Sequence, residues 1–200
     1  MLAGEVKRPF NSPDWAFEVK YDGYRAIAEW DAAGARLKSR RGVDMTAWFE
    51  EIVIALASIG GPRCVVDGEI SVLNDAGIAG DAEFKRLFTR SSRRGYKPGD
   101  DLVTYVVFDI LVAAGSSVMH QPLQHRRALL EEIIDDVPQV RVVDQVPEHG
   151  EAMFKAALEL GLEGIVAKRL HAPYQPGVRS RDWLKIKRPG AVPAERFDHR

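Results

Sequence analysis

Three runs rich in β-branched and aromatic residues follow one another at residues 15–20, 24–30 and 35–39, separated only by short turns. Further runs of that kind fall at 63–72, 102–111, 140–146, 164–169 and 183–186, and helical patterns at 48–58, 82–89, 122–136 and 150–160. Pro122 sits near the first turn of the third helix and Gly161 follows the last. Strands that follow strands, without strict strand-helix alternation, favour an α+β domain built on antiparallel sheets over a doubly wound fold. No internal repeat or low-complexity segment interrupts the pattern, and residues 189–200 read as a tail without periodicity.

A chain of 200 residues, 46% of them hydrophobic, suffices for one domain with a sizeable core or two closely joined lobes. No segment approaches ~18 uninterrupted apolar residues, so no membrane span is expected. The N-terminus lacks a signal-peptide core, which gives a cytosolic address by default. Cys64, the single cysteine, offers neither a disulfide nor a zinc pattern and suits a buried strand position. Net charge is -1, but cations gather at Lys85-Arg86, Arg90, Arg93-Arg94 and Lys97, and again from Lys168-Arg169 through Arg179, Arg181, Lys185, Lys187 and Arg188. Such runs serve equally as solvated faces; Phe88, Tyr96 and Trp183 among them raise nucleic-acid contact only modestly.

The chemistry centres on Lys20, in the run Glu18-Val19-Lys20-Tyr21-Asp22-Gly23-Tyr24-Arg25. A lysine nucleophile must be deprotonated, which calls for a stiff support and partial desolvation or neighbouring cations. A strand end supplies the stiffness, Asp22-Gly23 a turn, and Arg25 a forked cation for phosphate or ribose oxygens. Downstream, Asp67-Gly68-Glu69 sets a carboxylate beside a glycine break, and Asp109 interrupts an apolar strand, where an acid demands a partner. Glu163 and Lys168 bracket another strand, and Lys185 and Lys187 project from one face of the last, an arrangement suited to a polyanion. Each fragment alone has a plain reading as turn, core or exposed strand face. Their joint occurrence describes nucleotidyl transfer to lysine.

In these motifs the chain resembles the covalent nucleotidyltransferase superfamily, and within it the ATP-dependent DNA ligases. The nucleophile run is followed by Ser39-Arg40-Arg41-Gly42, Asp67-Gly68-Glu69, Phe108-Asp109, Glu163-Gly164-Ile165-Val166-Ala167-Lys168 and Lys185-Ile186-Lys187 in the family's order. Phe17-Glu18-Val19-Lys20, Pro122-Leu123 with Arg126-Arg127-Ala128-Leu129-Leu130, and Ser180-Arg181-Asp182-Trp183 look most like the ligase module of bacterial end-joining enzymes. The resemblance implies an ATP-grasp-like nucleotidyltransferase domain over residues 1–188, with antiparallel sheets flanked by helices. Lys20 would take AMP from ATP as a lysyl phosphoramidate, pass it to a DNA 5′-phosphate, and so allow a 3′-hydroxyl to seal the nick. Glu18 would recognise the adenine amino group, Phe108 stack on the base, Glu69 hold the ribose, and Arg25 and Arg40 bind sugar or DNA phosphate. Lys185 and Lys187 would contact the α-phosphate, Lys168 would lie near the nucleotide, and Glu163 with Asp109 would hold Mg²⁺ or Mn²⁺. The implied partner is nicked or broken duplex DNA in a bacterial, nucleoid-associated setting, and no membrane.

Two departures from the family pattern stand out. Thirteen residues follow Lys187, too few for the five-stranded OB-fold barrel that family ligases carry there, whose strands alone need about 25–30 residues. The expectation is weakened self-adenylation, or a partner protein supplying the clamp. Locally, Arg41 replaces a small polar residue and 112–117 departs from a more polar turn. An RNA ligase and a non-catalytic nucleotide- or DNA-end-binding subunit are the alternative readings.

Overall fold

The structure is a computed structural model that describes residues 1–135 and 137–190; most of the expected tail, 191–200, lies outside the described residues. The chain opens with β1 (Leu2–Val6), β2 (Ser12–Val19), β3 (Tyr24–Asp31) and β4 (Gly34–Ser39), then a 3₁₀ turn (Thr46–Trp48) and α1 (Glu50–Ile59). β5 (Cys64–Ser71), α2 (Asp81–Ser92), β6 (Thr104–Ala113), β7 (Ser116–Ser117) and α3 (Leu123–Ile133) follow. β8 (Val140–Val142), β9 (Gln145–Glu148), α4 (Gly150–Glu159), β10 (Gly164–Arg169) and β11 (Arg179–Lys187) complete the described fold. No helix among the described residues is long and apolar enough to cross a membrane.

Two sheets form, ordered β1-β11-β10-β2-β9 and β4-β3-β5-β6-β7, with β8 added against β6. Pairing is antiparallel except for β1 with β11 and β6 with β8. The expected α+β architecture is thus present. One expected strand, 140–146, is divided: Val140–Val142 pairs with β6 of the second sheet and Gln145–Glu148 with β2 of the first, so the chain changes sheets between them. β1 carries no strong local strand signal and is made by its pairing with β11.

Alternation along each strand sends one set of side chains outward under helices and the other into the space between the sheets. Phe17, Ile165, Ala167 and Ile186 pack outward with Ala157 and Leu162 around α4. Trp30, Leu37, Val66 and Ile110 of the second sheet pack with Ile52 and Leu56 of α1 and Leu130 of α3. Ile52, Ala55 and Leu56 recur at helical spacing, and α1 stops at Gly60, whose φ of 63° favours glycine. Each fully buried large apolar side chain contributes about 1.5–3 kcal/mol. The inner faces meet in a smaller cluster, Met1, Val65, Leu111, Tyr174 and Trp183, flanked by Ile27 and Phe108. Cys64 is a buried strand residue, as expected.

The basic stretch at 85–97 is largely spent within its own lobe. Arg90 is buried and bonds Glu51 at 3.0 Å, Arg93 pairs with Asp100 at 2.6 Å, Lys85 with Asp81 at 2.9 Å, and Arg86 with Asp101. Acids on either side of the stretch, and Glu51 of α1, neutralise a run that looked basic in isolation.

Candidate active site

Lys20 is the first residue past β2, still anchored to the ladder by its backbone N–H to the Gly164 carbonyl at 3.1 Å. The antiparallel register of β2, β10 and β11 then places Glu18, Lys168, Trp183, Lys185 and Lys187 on the same inner face. Two glycines let the backbones close around them. A Cβ on Gly23 would lie 2.1 Å from the Ile70 carbonyl oxygen, and one on Gly164, at φ +153°, would lie 2.0 Å from that of Ile186.

The Lys20 ammonium forms an ion pair with Glu163, and Asp22 lies 3.7 Å away. Lys187 pairs with the other oxygen of the same Glu163 carboxylate, and Lys185 pairs with Glu5 at 2.9 Å. Burial acts to lower the Lys20 pKa, but Glu163, Asp22 and Glu69 outweigh it, and the pKa stands above the ordinary lysine value. The nucleophile expected to be depressed by its surroundings is therefore held as a cation by three carboxylates. Glu163 is shifted down: burial acts upward, and Lys20 and Lys187 overcome it. Glu69 is pushed up to about 7 by burial, against the pull of Lys20 and Arg25.

Lys168 has the environment expected of Lys20. It is 1% exposed, pairs with Glu18 at 2.7 Å, donates to the Phe108 carbonyl at 3.2 Å, and stands 4.3 Å from the ring centroids of both Phe108 and Trp183. Burial lowers its pKa against the opposing charges of Glu18 and Asp109. Gln145 donates to the other Glu18 oxygen at 2.6 Å.

On the second sheet, Arg25 is forked onto Asp67 at 3.0 and 2.6 Å, with its guanidinium 5.5 Å from the Phe108 ring and 5.8 Å from that of Trp183. Arg40 is exposed just past β4, its backbone N–H donating to the Arg25 carbonyl at 3.3 Å. Asp109, expected beside Glu163 at a metal, is held by an arginine. Arg126 of α3 takes both its oxygens at 2.7 and 2.8 Å, its own chain's Ile110 N–H adds a third bond, and neither side chain reaches solvent. The strand acid did demand a partner, and the partner is an arginine.

Among the described residues no three His, Cys, Asp or Glu side chains form a ready-made metal cage. Magnesium commonly takes only one or two protein carboxylates together with substrate phosphates. Glu163 and Glu69, both acting on the Lys20 charge, fit that need in a way Asp109 does not. Sequence reasoning gave no role to Tyr174, Gln145 or Arg126, and used Trp183 as an aromatic in a basic run and as part of a family-like segment without assigning it a role. The Trp183-Leu184-Lys185-Ile186-Lys187 alternation was the available signal for Trp183, since it shares the face of the two lysines.

Known proteins share the sequence pattern and the fold of this chain. The family model described as ATP dependent DNA ligase domain matches residues 1–187. A DNA ligase of Thermococcus onnurineus is 35% identical over 182 residues, covering 86% of this chain and 32% of that protein. The multifunctional non-homologous end joining protein LigD of Mycobacterium bovis is 34% identical over 173 residues, covering 86% of this chain and 21% of its own length. The chain thus spans between a fifth and a third of these relatives. A solved structure of mycobacterial DNA ligase D complexed with ATP and MES superposes with a TM-score of 0.76 at 33% identity, covering 93% of this chain and 58% of that one. With the family match running through every strand of both sheets, this chain belongs to the ATP-dependent DNA ligase domain family.

Proposed function

We propose that this chain is the catalytic adenylation domain of an ATP-dependent DNA ligase that acts on nicked or broken duplex DNA. The observation that carries the reading is the placement of Lys20 at a strand end, sharing the Glu163 carboxylate with Lys187. The Lys20 amine attacks the α-phosphorus of ATP, a nitrogen-phosphorus bond forms, the bond to the bridging oxygen breaks, and pyrophosphate leaves with its electron pair. Lys187 and Lys185 offer cations to the α-phosphate. Phe108 and Glu18 meet the base, and Glu69 the ribose. Arg25 and Arg40 would bind sugar or DNA phosphate.

Before attack the Lys20 proton must be lost, and its carboxylate partners oppose that loss. Magnesium bound with ATP would screen phosphate charge and compete for Glu163. Phosphate arriving at Lys187 further loosens the pair that Glu163 makes with both lysines. Lys20, relieved of its counter-charge, then titrates as its burial dictates.

The test is incubation with ATP and Mg²⁺ followed by mass spectrometry, and sealing of pre-adenylated nicks. A mass gain equal to AMP that vanishes in Lys20→Ala supports the reading. No adduct and no sealing would refute it. The paired, protonated Lys20 favours a second reading, a nucleotide- or DNA-end-binding subunit, which predicts binding of ATP without any covalent adduct.

A further inference from the structure

Tyr174 lies in the connection between β10 and β11 of the first sheet, yet its phenol O–H donates to Asp67 of the second sheet at 2.8 Å. Asp67 is wholly buried, and its two oxygens also receive Nε and Nη2 of Arg25. The connection is latched elsewhere as well. The Tyr174 N–H bonds the Met119 carbonyl at 2.8 Å, and the Ala172 carbonyl accepts from Arg126 at 3.0 Å. The Tyr174 and Trp183 rings pack edge to face at 5.8 Å, and Trp183 with Phe108 walls the Arg25 guanidinium. A guanidinium whose Nε and Nη2 are engaged on a fixed carboxylate has its Nη1 edge left for a ligand, and the carboxylate sets where that edge points.

We propose that Tyr174 is a positioning residue for Arg25: by fixing Asp67 from the opposite sheet it aims the open guanidinium edge at the phosphate of a DNA end. The inference rests on the reading of Arg25 given above, as a residue for sugar or DNA phosphate, and takes the phosphate. Removing one hydroxyl leaves the Arg25–Asp67 pair in place but frees it to rotate. Misplacement of a binding group by an ångström costs up to about a hundredfold.

The test uses the full chain and two nicked duplexes that differ only in a 5′-phosphate or 5′-hydroxyl at the nick, with binding followed by fluorescence anisotropy at fixed salt. The wild type should prefer the 5′-phosphate. Tyr174→Phe should reduce that preference about ten- to a hundredfold while leaving affinity for the 5′-hydroxyl duplex and the rate of lysyl-AMP formation within about twofold. Asp67→Asn should reproduce the loss, and Tyr174→Phe should add nothing further in an Arg25→Gln background, as expected of residues acting in one chain. An unchanged preference in Tyr174→Phe, additive losses, an equal fall for both duplexes, or a wild type with no preference overturns the proposal. A wild type that keeps the preference but neither forms lysyl-AMP nor seals pre-adenylated nicks refutes the catalytic reading while leaving this one standing.

Discussion

Arg126 holds Asp109 through two hydrogen bonds of 2.7 and 2.8 Å, and the pair joins helix α3 to the strand that carries Phe108. With both side chains fully buried, the pair is a structural fastening. Removing one partner strands the other charge away from water, which costs about 3–5 kcal/mol. Asp109→Asn should therefore lower the chemical denaturation midpoint strongly. Under conditions where the variant remains folded, its Mg²⁺ requirement for lysyl-AMP formation should match the wild type. A normal midpoint with a raised Mg²⁺ requirement would return Asp109 to the metal site.

Glu163 governs the charge on Lys20. Burial alone would lower the Lys20 pKa, and Glu163 is the strongest of the carboxylates that raise it. Glu163→Gln should move the pH profile of kcat/KM for self-adenylation toward lower pH, because the free amine then appears at lower pH. The maximal rate should fall, since Lys187 loses its carboxylate partner and the proposed Mg²⁺ would lose a ligand. The stability link has the opposite limb. With its folded pKa raised, Lys20 contributes stability that is complete below the unfolded lysine pKa and lost as pH rises through the folded one. Glu163→Gln should thus unfold at similar pH extremes but show a smaller stability loss on the alkaline side. A profile that stays in place, or moves alkaline, contradicts this account.

Glu69 carries a second pH signature. Its pKa rises from the ordinary 4.5 to about 7 because burial penalises the carboxylate more than Lys20 and Arg25 favour it. A carboxyl raised on folding stabilises fully below its unfolded pKa, and the contribution is lost as pH climbs to the folded value. Between pH 4.5 and about 7, the wild type should lose thermal stability that Glu69→Gln retains. Melting curves across that range measure it. Parallel curves for the two proteins would show that Glu69 is solvated.

Much of this arrangement was legible in the sequence because it is local. The strand-turn run around Lys20, the glycine break at Gly68, and the alternation of Lys185 and Lys187 announce themselves within a few residues. What stayed hidden depends on distant pairing. β1 is a strand because Val6 meets Ile186 across the chain, and 140–146 divides because its two halves find partners in different sheets. The partner of Asp109 stayed hidden because nothing in its strand reveals an arginine on a helix beyond it. The direction of the Lys20 pKa was equally invisible, since the acids that set it come from Asp22, Glu69 and Glu163 together. Lys168 and Lys20 both look like lysines at strand ends; only the fold puts one between two aromatic rings and the other against carboxylates.

That contrast sets the most direct test. Lys168 has the lowered pKa but is enclosed by Phe108, Trp183 and Glu18, whereas Lys20 has the raised pKa and shares Glu163 with Lys187. Peptide mapping of the protein after incubation with ATP and Mg²⁺ should place the AMP mass on Lys20 and leave Lys168 unmodified. An adduct on Lys168, or its persistence in Lys20→Ala, would contradict the account.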